Sequence, residues 1–215
     1  IPSPRCIWRG LAKLPPGHLV TIGRDGVAGD PRPYWSLDTA VPADLRAQLD
    51  GADDAQLVEL LHDRLRASIG LQMVSDVPLG AFLSGGVDSS AVVALMQAQS
   101  SRPVRTFTIG FREKAFDEAP YARAVAQHLG TDHTELYVSA ADAEAVIPEL
   151  PRIYDEPFAD SSQIPTTLVS RLTRQHVTVS LSGDGGDELF AGYPRYGITA
   201  ALWADRKSTR LNSSH

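Results

Sequence analysis

A single cysteine, Cys6, in 215 residues leaves no partner for an internal disulfide and no thiolate set for a structural metal cluster. Its thiol reads as incidental rather than nucleophilic. No apolar run approaches the ~18 residues a membrane span needs, and the first residues lack the basic-then-apolar pattern of a secretion signal. The expectation is a soluble cytoplasmic protein with no membrane partner. Positive charge is also scarce: 20 Lys and Arg stand against 26 Asp and Glu, a net charge of −6 that argues against a nucleic-acid partner. With 43% hydrophobic and 21% charged residues, the chain has the composition and length of one α/β domain plus an appended piece.

The most informative stretch is Ser84-Gly85-Gly86-Val87-Asp88-Ser89-Ser90, between an apolar run, Val77 to Leu83, and a helical one, Ala91 to Gln99. Two glycines at the end of a strand permit a tight turn, and the following helix aims unpaired N–H groups and a positive dipole end at the loop. Such a nest suits an anion. Ser84, Ser89 and Ser90 add hydroxyls, and Asp88 is placed to hold a metal bridging phosphate oxygens. The loop lacks the lysine of G-x-x-x-x-G-K-[ST], and the G-x-G-x-x-G fingerprint is absent. Its pattern instead resembles the pyrophosphate loop of ATP pyrophosphatases, which activate a substrate at the α-phosphate of ATP. The plain alternative is a serine-capped helix start.

Periodicity supplies the rest of the fold. Leu11 to Trp35, with a short Val20-Thr21-Ile22 strand and a turn at Arg24-Asp25-Gly26, reads as hairpin and linker. Asp53 or Asp54 caps a helix with Leu57, Leu61, Leu65 and Ile69 on one face, ending at Gly70. Strands follow at Val77–Leu83, Val104–Ile109, Thr134–Val138 and Val177–Leu181. Between them come a helix capped by Asp117 with Tyr121, Val125 and Leu129 inward, one around Ala143–Leu150, and one over Ile164–Gln175. Alternation of this kind predicts an α/β fold, a doubly wound parallel sheet with its ligand at the carboxyl ends of the strands.

Ser182-Gly183-Asp184-Gly185-Gly186-Asp187-Glu188 follows the last strand directly and reads as the second half of the nucleotide site. Carboxylates beside ATP repel its phosphates unless Mg²⁺ intervenes, so Asp88 and Asp187 are the candidate metal ligands. A solvated acidic turn is the alternative. A third acidic stretch, Asp155 to Ser162, is read as binding a substrate amine or a second metal, or as capping the next helix.

In order and spacing these pieces resemble the synthetase domain of glutamine-dependent asparagine synthetases. The matching segments are Ser75 to Ala81, Thr106 to Phe111, Phe116-Asp117-Glu118, Gly130 to His133, Asp155 to Ser162 and Leu181 to Tyr196. The resemblance implies the ATP pyrophosphatase type of sheet, an adenine nucleotide α-hydrolase-like fold, over 39–204. Residues 1–38 would be the β-hairpin end of a glutaminase domain and its linker. It implies that the aspartate side chain attacks the α-phosphorus of ATP to give β-aspartyl-AMP and pyrophosphate. Glutamine-derived ammonia then gives asparagine and AMP. Ser84, Gly85, Gly86, Val87, Asp88, Ser89 and Ser90 would cradle pyrophosphate, Asp88 and Asp187 would direct Mg²⁺, and Leu83, Ile109, Ser182 and Gly183 would border the nucleoside. Asp184 would be the base and Tyr193 its assistant. Asp117, Asp155, Glu156, Asp160 and Ser161 are the candidate substrate contacts.

The chain departs from one branch of that family, S-G-E-G-S-D-E, by carrying Asp184, one methylene shorter than glutamate. The resemblance also implies a glutaminase domain whose catalytic cysteine is not Cys6, a phosphate-contacting lysine from a C-terminal region, and a homodimer as a possible assembly. A 1–204 fragment is accordingly expected to bind nucleotide weakly and make little asparagine. The tail, 205–215, breaks from what precedes it and resembles a translated sequencing-adapter read. Other readings stay open: a β-lactam synthetase-like or polysaccharide-associated amidotransferase, a tRNA-modifying, GMP- or NAD-forming pyrophosphatase, or a nucleotide-binding relic.

Overall fold

The computed structural model describes residues 1–112 and 117–212, so Phe116 and the final three residues of the expected artefactual tail lie outside the described residues. The chain divides into two compact units, Ile1–Leu65 with Ala143–Ile164, and Arg66–Asp142 with Pro165 onward.

In the first unit, β1 (His18–Leu19) pairs antiparallel with β2 (Arg32–Pro33), His18 opposite Pro33. An isolated bridge, Ile22 to Ala28, extends the hairpin around the expected turn, where Gly26 adopts φ +79° and Asp25 Oδ1 accepts the Val27 N–H at 3.1 Å. The paired residues fall two positions earlier than the Val20–Ile22 strand expected. Short helices α1 (Leu37–Ala40) and α2 (Ala43–Asp50) lead to α3 (Asp54–Gln72). Asp53 Oδ1 accepts the Gln56 N–H at 2.9 Å and Gln56 Oε1 accepts the Asp53 N–H at 3.0 Å, a reciprocal cap that contributes about 1 kcal/mol. The helix expected around Ala143–Leu150 is divided into α6 (Ala140–Val146), a 3₁₀ turn (Ile147–Glu149) and α7 (Leu150–Ile153). Pro148 and Pro151 lack the N–H groups that a continuous helix requires.

The second unit is built on β3 (Leu79–Phe82), β4 (Arg105–Phe111), β5 (Asp132–Val138) and β6 (Val179–Leu181), all parallel in the order β5-β4-β3-β6. The chain winds outward from β3 through α4 (Val87–Ala98), β4, α5 (Ala119–Leu129) and β5. It then returns, with α8 (Gln163–Arg174), to lay β6 on the other side of β3. Short α9 (Gly186–Phe190) and α10 (Pro194–Asn212) follow, so α10 continues through the first part of the suspected tail. Among the described residues no helix is long and apolar enough to cross a membrane.

Alternation along β3 sends Ala81 and Leu83 to one face and Phe82 to the other. Ala81 and Leu83 pack with Ile69, Val93, Met96, Ala122 and Ala126 from three helices, while Phe82 packs with Phe107, Val169, Leu172 and Val177. Helices therefore cover both faces, as the doubly wound reading requires. Each large side chain buried this way contributes about 1.5–3 kcal/mol. The inward face of α5 differs from expectation: Tyr121 is exposed, and Ala119, Ala122 and Ala126 are the buried positions. Small side chains are needed there because Gly85 brings the loop after β3 against the α5 backbone.

A polar cluster joins β4 to β5. Thr106 Oγ1 lies 3.0 Å from Thr131 Oγ1 and 2.8 Å from His133 Nδ1, and Arg123 grips Glu135 with two hydrogen bonds. Burial holds the His133 pKa below its ordinary value, against the attraction of Glu135. Since the folded pKa is depressed, this contribution to stability is complete above about pH 6.5, the unfolded value. It is lost as pH falls toward the folded pKa. Urea midpoints should therefore drop between pH 7 and pH 5, and His133→Gln should flatten that slope. An unchanged slope would place its origin elsewhere.

Candidate functional site

The strands β3 and β6 are neighbours, with Ala81 opposite Leu181, and the winding reverses between them: from β3 the chain proceeds to β4 and β5 on one side, and β6 is then laid on the other. Their carboxyl ends thus form the switch point of a doubly wound sheet, where the two following loops open a crevice. Both glycine-rich segments expected to bind nucleotide are these loops.

The first loop is tied from within. Ser89 Oγ lies 2.9 Å from Ser84 Oγ and accepts the Ser84 N–H at 3.2 Å, and Ser84 Oγ accepts the Gly86 N–H at 3.2 Å. Helix α4 starts at Val87, four residues earlier than expected, with Gly86 as its N-cap and Asp88 in its first turn. Negative charge there complements the helix dipole. The first intrahelical bond runs from Ser90 N–H to Gly86 C=O at 3.1 Å. The N–H groups of Val87, Asp88 and Ser89 precede it and form the anion-seeking end. Ser90 Oγ is buried without a hydrogen-bond partner and does not line the crevice.

The second loop approaches the first through its glycines. A Cβ on Gly183 would lie 2.7 Å from the Ser89 nitrogen and 3.0 Å from the Asp88 carbonyl carbon. One on Gly186 would lie 2.5 and 2.9 Å from the two Asp88 carboxylate oxygens, and one on Gly192 would overlap the Asp187 carboxylate. Hydrogen is the one substituent these three positions admit without movement, and its smallness lets Asp88 and Asp187 settle against backbone. Gly185, at φ +92°, supplies the turn into α9.

The two loops border a cavity of about 820 Å³ that Asp88, Asp184, Asp187, Glu188 and Tyr193 all line, together with backbone of both loops. No Lys or Arg is among its described lining residues. An adjoining apolar cleft of about 520 Å³ shares Phe82 and Ser84 with it and is walled by Leu83, Phe107, Ile109 and Val169. Asp184 Oδ2 accepts the Ser182 hydroxyl at 3.0 Å, and Tyr193 donates its hydroxyl to Glu188 Oε1 at 2.9 Å. That bond raises the Tyr193 pKa.

Asp88, Asp184, Asp187 and Glu188 line the cavity with no Lys or Arg among its described lining residues, but no group of three or more His, Cys, Asp or Glu among the described residues is placed to hold a metal ion by itself. Asp88 and Asp187 could hold only an ion that draws its remaining oxygens from phosphate and water, as Mg²⁺ does.

A family model described as asparagine synthase matches residues 60–214. The chain belongs to the asparagine synthase family. A protein of Methanocaldococcus jannaschii, named as a candidate glutamine-hydrolysing asparagine synthetase 2, is 40% identical over 194 residues, covering 90% of this chain and 36% of its own length. Glutamine-hydrolysing asparagine synthetase 1 of Bacillus subtilis is 34% identical over 197 residues, covering 91% of this chain and 29% of its own. The chain thus spans about a third of the length of these relatives.

The other expected site residues have different surroundings. Asp117 Oδ1 accepts the Ala119 N–H at 3.2 Å at the start of α5. Asp155, Glu156, Asp160 and Ser161 belong to the first unit. There Glu156 is bound by Lys13, which lowers its pKa, and accepts the Ile7 N–H at 3.3 Å, while Asp160 Oδ1 accepts the Ser162 N–H at 2.8 Å. The sequence points to no separate role for Glu188. Its five-residue spacing to Tyr193 is not helical, and contact depends on Ala191, whose φ of +55° ends α9 and turns the chain back.

Proposed function

We propose that this chain is the nucleotide-binding part of a glutamine-dependent amidotransferase that forms asparagine from aspartate and ATP. The observation carrying the proposal is the meeting of two glycine-rich loops at the β3/β6 switch point, which puts Asp88, Asp187 and a helix N-terminus around one cavity.

In this reading the β- and γ-phosphates of the substrate ATP lie against the first-turn N–H groups of α4, and the nucleoside extends toward Leu83 and Ile109 in the apolar cleft. Asp88 and Asp187 would hold Mg²⁺, which when bound would supply positive charge to the pyrophosphate leaving group. The first-turn amides of Val87 to Ser89 are already oriented, so little reorganisation accompanies leaving-group departure. The aspartate carboxylate attacks the α-phosphorus, and ammonia attacks the resulting acyl carbon, releasing AMP. Asp184 takes a proton from that nitrogen, and its attachment to Ser182 keeps it on the cavity wall. The glutaminase domain and the phosphate-binding lysine belong to parts of the full-length protein beyond this chain, and 1–38 would be the glutaminase end.

Oxygen-18 provides the test. With the full-length protein and side-chain-labelled aspartate, AMP should acquire one labelled oxygen per asparagine formed. Unlabelled AMP would refute attack by that carboxylate.

A further inference from the structure

We propose that Glu188 and Arg195 are positioning residues that hold the Tyr193 hydroxyl oxygen as a hydrogen-bond acceptor for the amine nucleophile. This inference rests on the proposed function and adds a nucleophile subsite to it.

A tyrosine hydroxyl has one proton and two lone pairs. Tyr193 commits its proton to Glu188 Oε1 at 2.9 Å, so what its oxygen presents to other groups is acceptance. Both residues line the cavity shared with Asp88 and Asp187. Arg195 fixes the ring from its face, with the guanidinium carbon 3.9 Å from the ring centroid, and Tyr196 packs beside it at 5.9 Å between centroids. The phenol is thereby held at its polar tip and across its face. An oxygen so held suits a ligand that donates N–H bonds, and ammonia and ammonium are such ligands. Asp184 differs: its carboxylate is engaged by Ser182 within its own loop.

The left-handed Ala191 is what allows the arrangement. A residue with a Cβ at φ +55° costs about 1 kcal/mol or more, and here it turns the chain so that Tyr193 returns to Glu188.

The test uses the full-length protein with ammonium as the nitrogen source, reading KM for ammonium and KM for ATP separately. Glu188→Ala and Tyr193→Phe should each raise KM for ammonium about 10-fold, the loss of one hydrogen bond to a charged or polarised group, with KM for ATP changed less than about twofold. Combining them should cost no more than the worse single change, because both remove one arrangement. Glu188→Gln still offers Tyr193 an acceptor oxygen and should restore KM to within about threefold. Arg195→Ala should raise KM for ammonium in the same selective way. Multiplying losses in the double variant, equal changes in both KM values, or an unmoved KM for ammonium would each overturn the proposal. The ratio is read with whichever carboxylic acid supports pyrophosphate release, so failure of aspartate as substrate counts against the proposed function alone.

Discussion

Replacing Asp88 with asparagine lowers pyrophosphate release by the full-length protein about 10²- to 10³-fold, the usual loss when one preorganised electrostatic group is removed from developing charge. The substitution keeps the shape of the side chain, so the close fit against Gly186 survives. It removes a negative charge from a cavity where four carboxylates gather and from the first turn of α4. Loss of the helix-dipole interaction costs only about 0.3–1 kcal/mol, so the thermal midpoint should move by a few degrees at most. Activity and stability therefore separate. Near-normal pyrophosphate release by a folded Asp88→Asn protein would rule out the metal-directing role proposed for this residue.

Alanine in place of Gly85 has the reverse signature, a large loss of stability. Gly85 has φ +83°, and a Cβ there would lie 2.6 Å from the Ala122 nitrogen and 2.7 Å from the Tyr121 carbonyl carbon. Both obstacles are α5 backbone, which cannot rotate aside as a flexible side chain does. The left-handed conformation costs about 1–2 kcal/mol and overpacking about 1–3 kcal/mol, together about 2–5 kcal/mol. That is a large share of the ~5–15 kcal/mol that stabilises a typical domain. Gly130 is the control: its φ is +70° at the end of α5, but a Cβ there would meet nothing within 4 Å. Gly130→Ala should cost only the conformational part, about 1–2 kcal/mol, and urea midpoints measure the difference between the two variants. Equal losses would mean that the contact between loop and helix is not what constrains Gly85.

The switch-point site was legible because its chemistry is local. Gly-rich loops directly after apolar strands can be recognised without knowing what packs on them, and parallel winding then places both at one edge. Features set by tertiary contact were not legible in this way. Tyr121 occupies an apolar-looking helical position, but the approach of Gly85 selects the alanine face of α5 for burial. Three serines are alike as phosphate donors in the sequence and differ in packing: Ser84 and Ser89 tie the loop, and Ser90 Oγ is buried and does not line the crevice. Asp117 looks like a helix cap in the sequence, but the N-cap of α5 is Glu118, and the Asp117 carboxylate instead accepts the Ala119 N–H in a turn just before the helix. Glu188 is the most telling omission. Its bond to Tyr193 follows from one left-handed alanine, and composition and periodicity carry no sign of that conformation.

The most direct test is pyrophosphate release from MgATP by the full-length protein with ammonium present, comparing L-aspartate with a panel of other carboxylic acids. Release that requires aspartate and matches the asparagine formed is the predicted result. Release that ignores aspartate and follows another acid would contradict the aspartate assignment and make the protein an amidotransferase acting on that acid.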